Sequence, residues 1–365
     1  MGLRSNCMVK QKSHLDDIYR SPAEKFDRTR YLRLDKNENT CNIPAPLLEI
    51  IKSEITPELI SSYPQVYPLY EKLGRVLGLD EACLLLTAGS DAAIKNVFEV
   101  FVYPGDEIII PEPTYAMYEI YARLYQGVLQ KVPYGDDLTF SMEEVYKKIT
   151  DRTKLIALAN PNSPTGCVLD QQELVDLITY AEEKDILILV DEAYYPYYPQ
   201  TVIKYIARYR NLIVTRTFSK AYGLASLRLG FAAANPDTIR ALTKFRPIYE
   251  TNGLAVLFGS LLLDHPEVVS RNVSDITQGR EFLIKEMEGV GFPCYPSHTN
   301  FLNIRIGQKL VIPLTDYLKS QGILIKPGYD HPALKECIRV TIGPVCQMKT
   351  VVESIRAYIK HNSHQ

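Results

Sequence analysis

Four short runs of the chain are apolar rather than alternating: Glu107–Ile110, Leu155–Ala159, Ile186–Val190 and Leu212–Thr215. Such runs predict strands covered on both faces, because a half-solvated strand would alternate polar and apolar positions. Between them, Met142–Ile149 and Gln171–Lys184 carry helical periodicity, and Ser141 followed by Glu144 forms a capping-box pattern. Strand, helix, strand in repetition implies right-handed crossovers and a mostly parallel sheet. Ligands on such sheets bind beyond the C-terminal strand ends. The polar and Gly/Pro clusters fall at those ends: Pro111–Tyr115, Asn160–Gly166, Asp191–Tyr194 and Arg216–Gly223. After about Pro247 the pattern changes to a helix at Leu254–Leu263, a strand at Phe301–Ile306, a helix near Ile312–Gln321 and a strand at Cys337–Ile342. The expected organisation is an α/β protein. Residues 1–60 form an arm and part of a small domain, 61–250 the large domain, and 251–365 a smaller α+β domain.

Composition narrows the function classes. The chain has 365 residues, 46% of them hydrophobic and 23% charged, which is ordinary for a folded protein. Its 41 Lys and Arg against 43 Asp and Glu leave a net charge of −2, so no global field favours nucleic acid. No apolar stretch approaches the roughly 18 residues of a membrane span, and Met1–Lys12 lacks the apolar core of an export signal. Seven scattered cysteines without a Cys-x-x-Cys pair suit reduced cytoplasmic thiols better than disulfides or a zinc site. The expectation is a cytoplasmic protein with no metal, membrane or nucleic-acid partner.

The chemistry centres on Lys220. A lysine just after a buried strand is ordinarily a snorkelling surface residue. The functional alternative is an amine that bonds covalently to a carbonyl, and that reading needs partners. Asp191 ends an apolar run, where a carboxylate is costly unless it meets a cation such as a protonated pyridine nitrogen. Tyr194 could donate to a ring oxygen, and Arg228 with Ser219 and Thr217 could clamp a phosphate. Singly, each has an ordinary structural explanation; the shared strand-end placement favours a pyridoxal phosphate (PLP) site. Gly89, Ser90 and Asp91 precede the amphipathic Ala92–Val100 and could present free helix N–H groups to an anion, although Ser90 or Asp91 would serve equally as a plain cap. The dinucleotide G-x-G-x-x-G pattern is absent there. Tyr115 could lie over a planar ring or pack in the core, and the turn through Ser163 is a loop on any reading.

These residues resemble the fold-type I PLP-dependent aminotransferases of class II, the group that includes histidinol-phosphate aminotransferase. The resemblance runs from about Tyr19 to Tyr358. It rests on Leu34–Asn39 (LDKNEN, against the family's L-N-x-N-E-N), Ser62-Tyr63-Pro64 (against R-Y-P), 217–231 (TFSKAYGLASLRLGF) and 337–343 (CIRVTIG). It implies that Lys220 carries the cofactor, that Asp191 meets the pyridinium nitrogen, that Tyr194 meets the phenolate oxygen and that Tyr115 covers the ring. Ser90, Asp91, Thr217, Ser219 and Arg228 would surround the phosphate, joined by Tyr63 from a second subunit of a homodimer. Arg339, Lys326, Tyr19 and Asn39 would bind substrate: an amino-acid donor and a small phosphorylated acceptor. Two positions depart from the family. Ser163 stands where asparagine precedes P-T-G, and Lys326 stands where an arginine is usual, giving charge without the bidentate fork. The implied activity is transamination of histidinol phosphate or another phosphorylated ketone such as dihydroxyacetone phosphate. Decarboxylation of a threonine- or serine-phosphate type substrate, or an idle PLP-fold binding protein, are the alternatives.

Overall fold

The computed structural model describes residues 9–20 and 25–362; most of the segment read for an export signal, residues 1–8, lies outside them. In chain order the strands are β1 (Leu32–Leu34), β2 (Leu84–Thr87), β3 (Glu107–Glu112), β4 (Val128–Pro133), β5 (Thr153–Ala159), β6 (Leu187–Asp191), β7 (Leu212–Thr217), β8 (Gly230–Ala234), β9 (Phe301–Arg305), β10 (Ile323–Pro327) and β11 (Cys337–Thr341). Seven of them form one sheet in the order β2-β8-β7-β6-β5-β3-β4. It is parallel except for β8, which runs antiparallel to β2 and β7. The other four form a second sheet, β1-β10-β11-β9, in which β1 brings the N-terminal segment alongside β10.

The four apolar runs are β3, β5, β6 and β7; β3, β5 and β7 are each longer by two residues, and β6 is shifted by one so that it ends on Asp191. Alternate residues serve opposite cores: Leu155, Ala157 and Ala159 face one helical layer, Ile156 and Leu158 the other. Burial on both faces is why these strands lack alternation. Three strands of this sheet escaped the pattern. β4 is an edge strand of mixed polarity, β2 is only four residues, and β8 reads Gly-Phe-Ala-Ala-Ala. That sequence has little strand preference of its own; pairing on both sides makes it a strand. The helix predicted from Met142 spans Met142–Lys148, with the Ser141 hydroxyl accepting from the Glu144 N–H. Only half of the box forms, because the Glu144 carboxylate pairs with Lys147.

Helix Gly253–Asp264 packs on the core of the large sheet, and the following helix, Pro266–Glu288, places Val268 in that core and Ile276, Leu283 and Met287 in the core of the small sheet. Packing therefore passes from one core to the other inside this long helix, beyond residue 250. Among the described residues no single helix is long and apolar enough to cross a membrane.

Candidate active site

A cavity of about 360 Å³ lies at the C-terminal ends of β5, β6 and β7, closed on the far side by residues 36–37 and β11. Ser90, Asp91, Tyr115, Ser163, Asp191, Tyr194, Thr217, Ser219, Lys220, Arg228 and Arg339 all line it. Residues from a long span of sequence thus meet in one space.

Asp191 forms the floor. It is 4% exposed, accepts a 2.8 Å hydrogen bond from the Thr215 hydroxyl and a 3.5 Å one from Tyr118. Thr215 reaches it because β6 and β7 pair Asp191 with Thr215 in register. Burial, with the nearby Asp91 charge adding, pushes this carboxyl up to about 7. A carboxyl buried among hydroxyls suits a protonated ring nitrogen, whose positive charge would favour its ionised form.

Lys220 follows β7 and donates to the carbonyls of Asn37 (2.9 Å) and Lys36 (3.2 Å). Burial first, and the Arg339 charge second, draw its amine down to about 8. Near neutral pH an appreciable share is therefore uncharged, as a nucleophile or proton acceptor requires. The Tyr194 phenol accepts from Asn37 Nδ2 at 2.8 Å. Burial raises the phenol's pKa, against the pull of Arg339 and of hydrogen bonds from Ser163 and Asn37. Asn37 itself has φ 55°, a left-handed conformation that asparagine tolerates. It is held there by its N–H on Thr341 Oγ1 (3.0 Å) and its carbonyl on Asn300 Nδ2 (3.1 Å).

The anion cradle sits beside Lys220. Helix Ser90–Phe101 starts after Gly89 (φ 83°) with no side-chain cap, leaving its first N–H groups without intrahelical acceptors. Thr217 Oγ1 donates to Ser219 Oγ (3.0 Å), and Arg228 Nη1 donates to the same oxygen (3.3 Å). A Cβ on Gly89 would stand 2.6 Å from Arg228 Nη2, and one on Gly230 would stand 2.5 Å from the Ser90 nitrogen. Glycine is needed at both for guanidinium and helix terminus to converge. Hydroxyls, a guanidinium and a helix N-terminus together fit a phosphate. The residues present therefore match PLP at both its ring nitrogen and its phosphate. Asp91, at the edge of the cradle, accepts from the hydroxyls of Tyr115 (3.1 Å) and Tyr121 (3.0 Å).

The opposite wall carries Arg339, 6% exposed, between the rings of Phe301 (5.1 Å) and Tyr329 (5.4 Å). Its Nη2 donates to the Asp35 carbonyl at 2.8 Å, while its Nε is buried with no partner among the described residues. Other expected residues are elsewhere. Lys326 pairs in register with Arg339 across β10 and β11, but it is exposed and does not line the cavity. Tyr19 is 77% exposed outside it. Asn39 spends its amide on the Ala221 carbonyl and the Cys41 N–H, so it braces the segment after Lys220 and does not face the cavity. Tyr63 lies on the surface, stacked on Tyr249 at 3.8 Å, and Gly89 sits behind the cradle. Sequence reasoning did not single out Lys36, Asn37, Tyr118, Thr215 or Tyr329. Of these, Tyr118 carries a usable signal, one helical turn after Tyr115.

Comparison with known proteins gives the same picture. The sequence model of the aminotransferase class I and II family matches residues 47–355. The chain is 32% identical over 323 residues to histidinol-phosphate aminotransferase 1 of Burkholderia lata, covering 87% of this chain and 89% of that one. It is 30% identical over 319 residues to the histidinol-phosphate aminotransferase of Thermoanaerobacter pseudethanolicus, covering 85% and 88%. The fold matches that of histidinol-phosphate aminotransferase from Sinorhizobium meliloti, solved in complex with pyridoxal-5'-phosphate, with TM-score 0.87 at 24% identity over 97% and 99% of the two chains. It also matches L-threonine-O-3-phosphate decarboxylase from Porphyromonas gingivalis, with TM-score 0.77 at 22% identity over 90% and 99%. At these lower identities the likeness is one of fold. With the family's sequence model matching most of its length, this chain belongs to the class I and II aminotransferases, PLP-dependent transaminases of fold type I.

Proposed function

We propose that this aminotransferase moves an amino group between an amino-acid donor such as glutamate and a small phosphorylated ketone, as its histidinol-phosphate aminotransferase relatives do, and that it works as a cytoplasmic homodimer. The observation that carries the substrate reading is Arg339, a buried guanidinium with an unpartnered Nε, sharing one cavity with Lys220 and the anion cradle. A substrate carboxylate or phosphate would supply the missing acceptor. Lys36 lines the same cavity and adds positive charge, and Lys326 lies one strand further out on the Arg339 side of the small sheet. The homodimer reading is supported by the exposed Tyr63–Tyr249 stack and the adjacent Ile248, 80% exposed, which form an apolar surface patch.

In this mechanism Lys220 would hold PLP covalently, Asp191 its ring nitrogen, Tyr194 and Ser163 its phenolate oxygen, and the Ser90–Arg228 cradle its phosphate. The bound cofactor supplies the electron sink for negative charge developing at the substrate α-carbon. Arg339 orients the substrate by its acid group, so the bond to be broken faces Lys220. The Lys220 amine, drawn down to about 8, would serve as the base that takes the proton from the substrate α-carbon and as the acid that gives it back. Asp191 holds a proton at the ring nitrogen throughout.

A screen of amine donors and keto acceptors, scored for both amino transfer and carbon dioxide release, tests the reading. Transfer from glutamate to a phosphorylated ketone is expected, with the dephosphorylated ketone much poorer. Carbon dioxide as the main product, or equal rates with and without the phosphate, would reject it.

A further inference from the structure

We propose that Glu250 is a positioning residue for the anion cradle, fixing the Thr87–Gly89 turn so that the helix N–H groups after it stay open to a phosphate. The turn closes on itself through the Gly89 N–H on the Thr87 carbonyl (2.8 Å) and the Thr87 hydroxyl on the Gly89 carbonyl (2.9 Å). The first engages the carbonyl of the peptide between Thr87 and Ala88, but neither gives that peptide's N–H an acceptor inside the turn. This N–H, from Ala88, donates to Glu250 Oε1 at 2.9 Å, across 162 residues of sequence. Arg228 Nη2 reaches the Ala88 carbonyl from the other side at 3.5 Å. Ala88 is thus pinned between the cradle's guanidinium and a remote carboxylate, and Gly89 at φ 83° follows directly.

A carboxylate is an expensive group in this place. Glu250 is half-buried, and burial raises its pKa against the opposing Ala88 N–H, Arg246 and Lys95. Its Oε2 is buried without a partner among the described residues, as is Arg246 Nε, and both residues line one cavity of about 70 Å³. An apolar side chain would fill that space at lower cost. What it could not do is accept the Ala88 N–H, and a charge-assisted acceptor holds that bond more strongly than a neutral one.

The inference rests on the reading of this turn as the phosphate site, and the test separates the two. Apoenzyme is titrated by absorbance with PLP and with pyridoxal, which lacks the phosphate. Glu250→Met, similar in length but without an acceptor, should weaken PLP binding about tenfold or more and pyridoxal binding less than about twofold, while Glu250→Gln stays within about threefold of wild type for PLP. Unchanged PLP affinity in Glu250→Met, or equal losses for both ligands, overturns the proposal for Glu250. A wild-type apoenzyme that binds pyridoxal as tightly as PLP overturns the phosphate-site reading, and this proposal with it. If Glu250→Met does not fold, Glu250→Ala is carried through the same titrations with the same criteria.

Discussion

The two walls of the cavity are built by different means. On the cofactor side, Asp191, Thr215, Thr217, Ser219 and Lys220 sit at or just beyond the ends of two adjacent strands buried along their whole length. Their spacing follows from strand geometry, and their rigidity from two cores pressing on one sheet. On the substrate side, Asn37 meets Thr341 and Arg339 meets Asp35, each contact spanning 304 positions. That wall depends on how the N-terminal segment lies along the small sheet. A site whose chemistry is anchored locally and whose substrate contacts are assembled from remote segments can keep its reaction while changing its substrate.

The strongest way to break this contrast is Lys220→Ala. Amino transfer should fall by about 10³–10⁴-fold or more while the fold persists, and a borohydride-reduced peptide map of wild type should label Lys220 alone. Another labelled lysine would move the chemistry off the strand ends. Next in size, Arg339→Met should lower kcat/KM for carboxylate donors about a hundredfold, or about 3 kcal/mol. The two walls are also coupled, because burial and then the Arg339 charge keep Lys220 down at about 8. Removing a neighbouring cation eases protonation of the amine, so its pKa rises and the acidic limb of the pH–rate profile moves to higher pH. An unshifted limb would leave the walls electrostatically independent.

Asp191→Asn tests what the cofactor wall costs. Below about pH 4 this carboxyl is protonated both in the fold and in the unfolded chain. From there to about 7 only the unfolded chain ionises, and above about 7 the fold carries the buried charge, so the penalty is complete there. Asparagine removes it. Urea unfolding of the apo variant should show a gain on the order of 2–3 kcal/mol at pH 8 and none at pH 4, with PLP binding weakened. A variant less stable than wild type at pH 8 would contradict the buried-charge account. The smallest effect concerns the exposed Lys326: its alanine variant should change kcat/KM for the phosphorylated acceptor by less than about threefold, and Lys36→Ala by more. A Lys326 effect as large as that of Arg339 would mean the outer strand contributes as much as the buried wall.

Legibility in the sequence follows the same division. Asp191 stood out because a carboxylate ending the apolar run before it demands a reason, and Lys220 because it follows another such run. Thr215 did not stand out, since a threonine in a strand is unremarked until the β6–β7 register sets it opposite Asp191. Asn37 lay inside a recognised segment, yet only its placement against Tyr194 and Thr341 singles it out from Asn39, whose amide braces the backbone after Lys220. Lys326 shows the converse: it sits in register with Arg339, but register does not say which of two paired cations a cavity will enclose.

The sequence by itself determined the parallel sheet, the strand ends that carry the reacting groups and the residue types that handle PLP. These depend on burial and chain direction, which local patterns encode. Tertiary structure alone decided that a Gly-Phe-Ala-Ala-Ala segment becomes a strand, that Asn37 locks Tyr194 and that Arg339 is enclosed while Lys326 stays in water. Each depends on pairing between segments far apart in the chain, where the free energy lies in the contact and neither partner carries it alone.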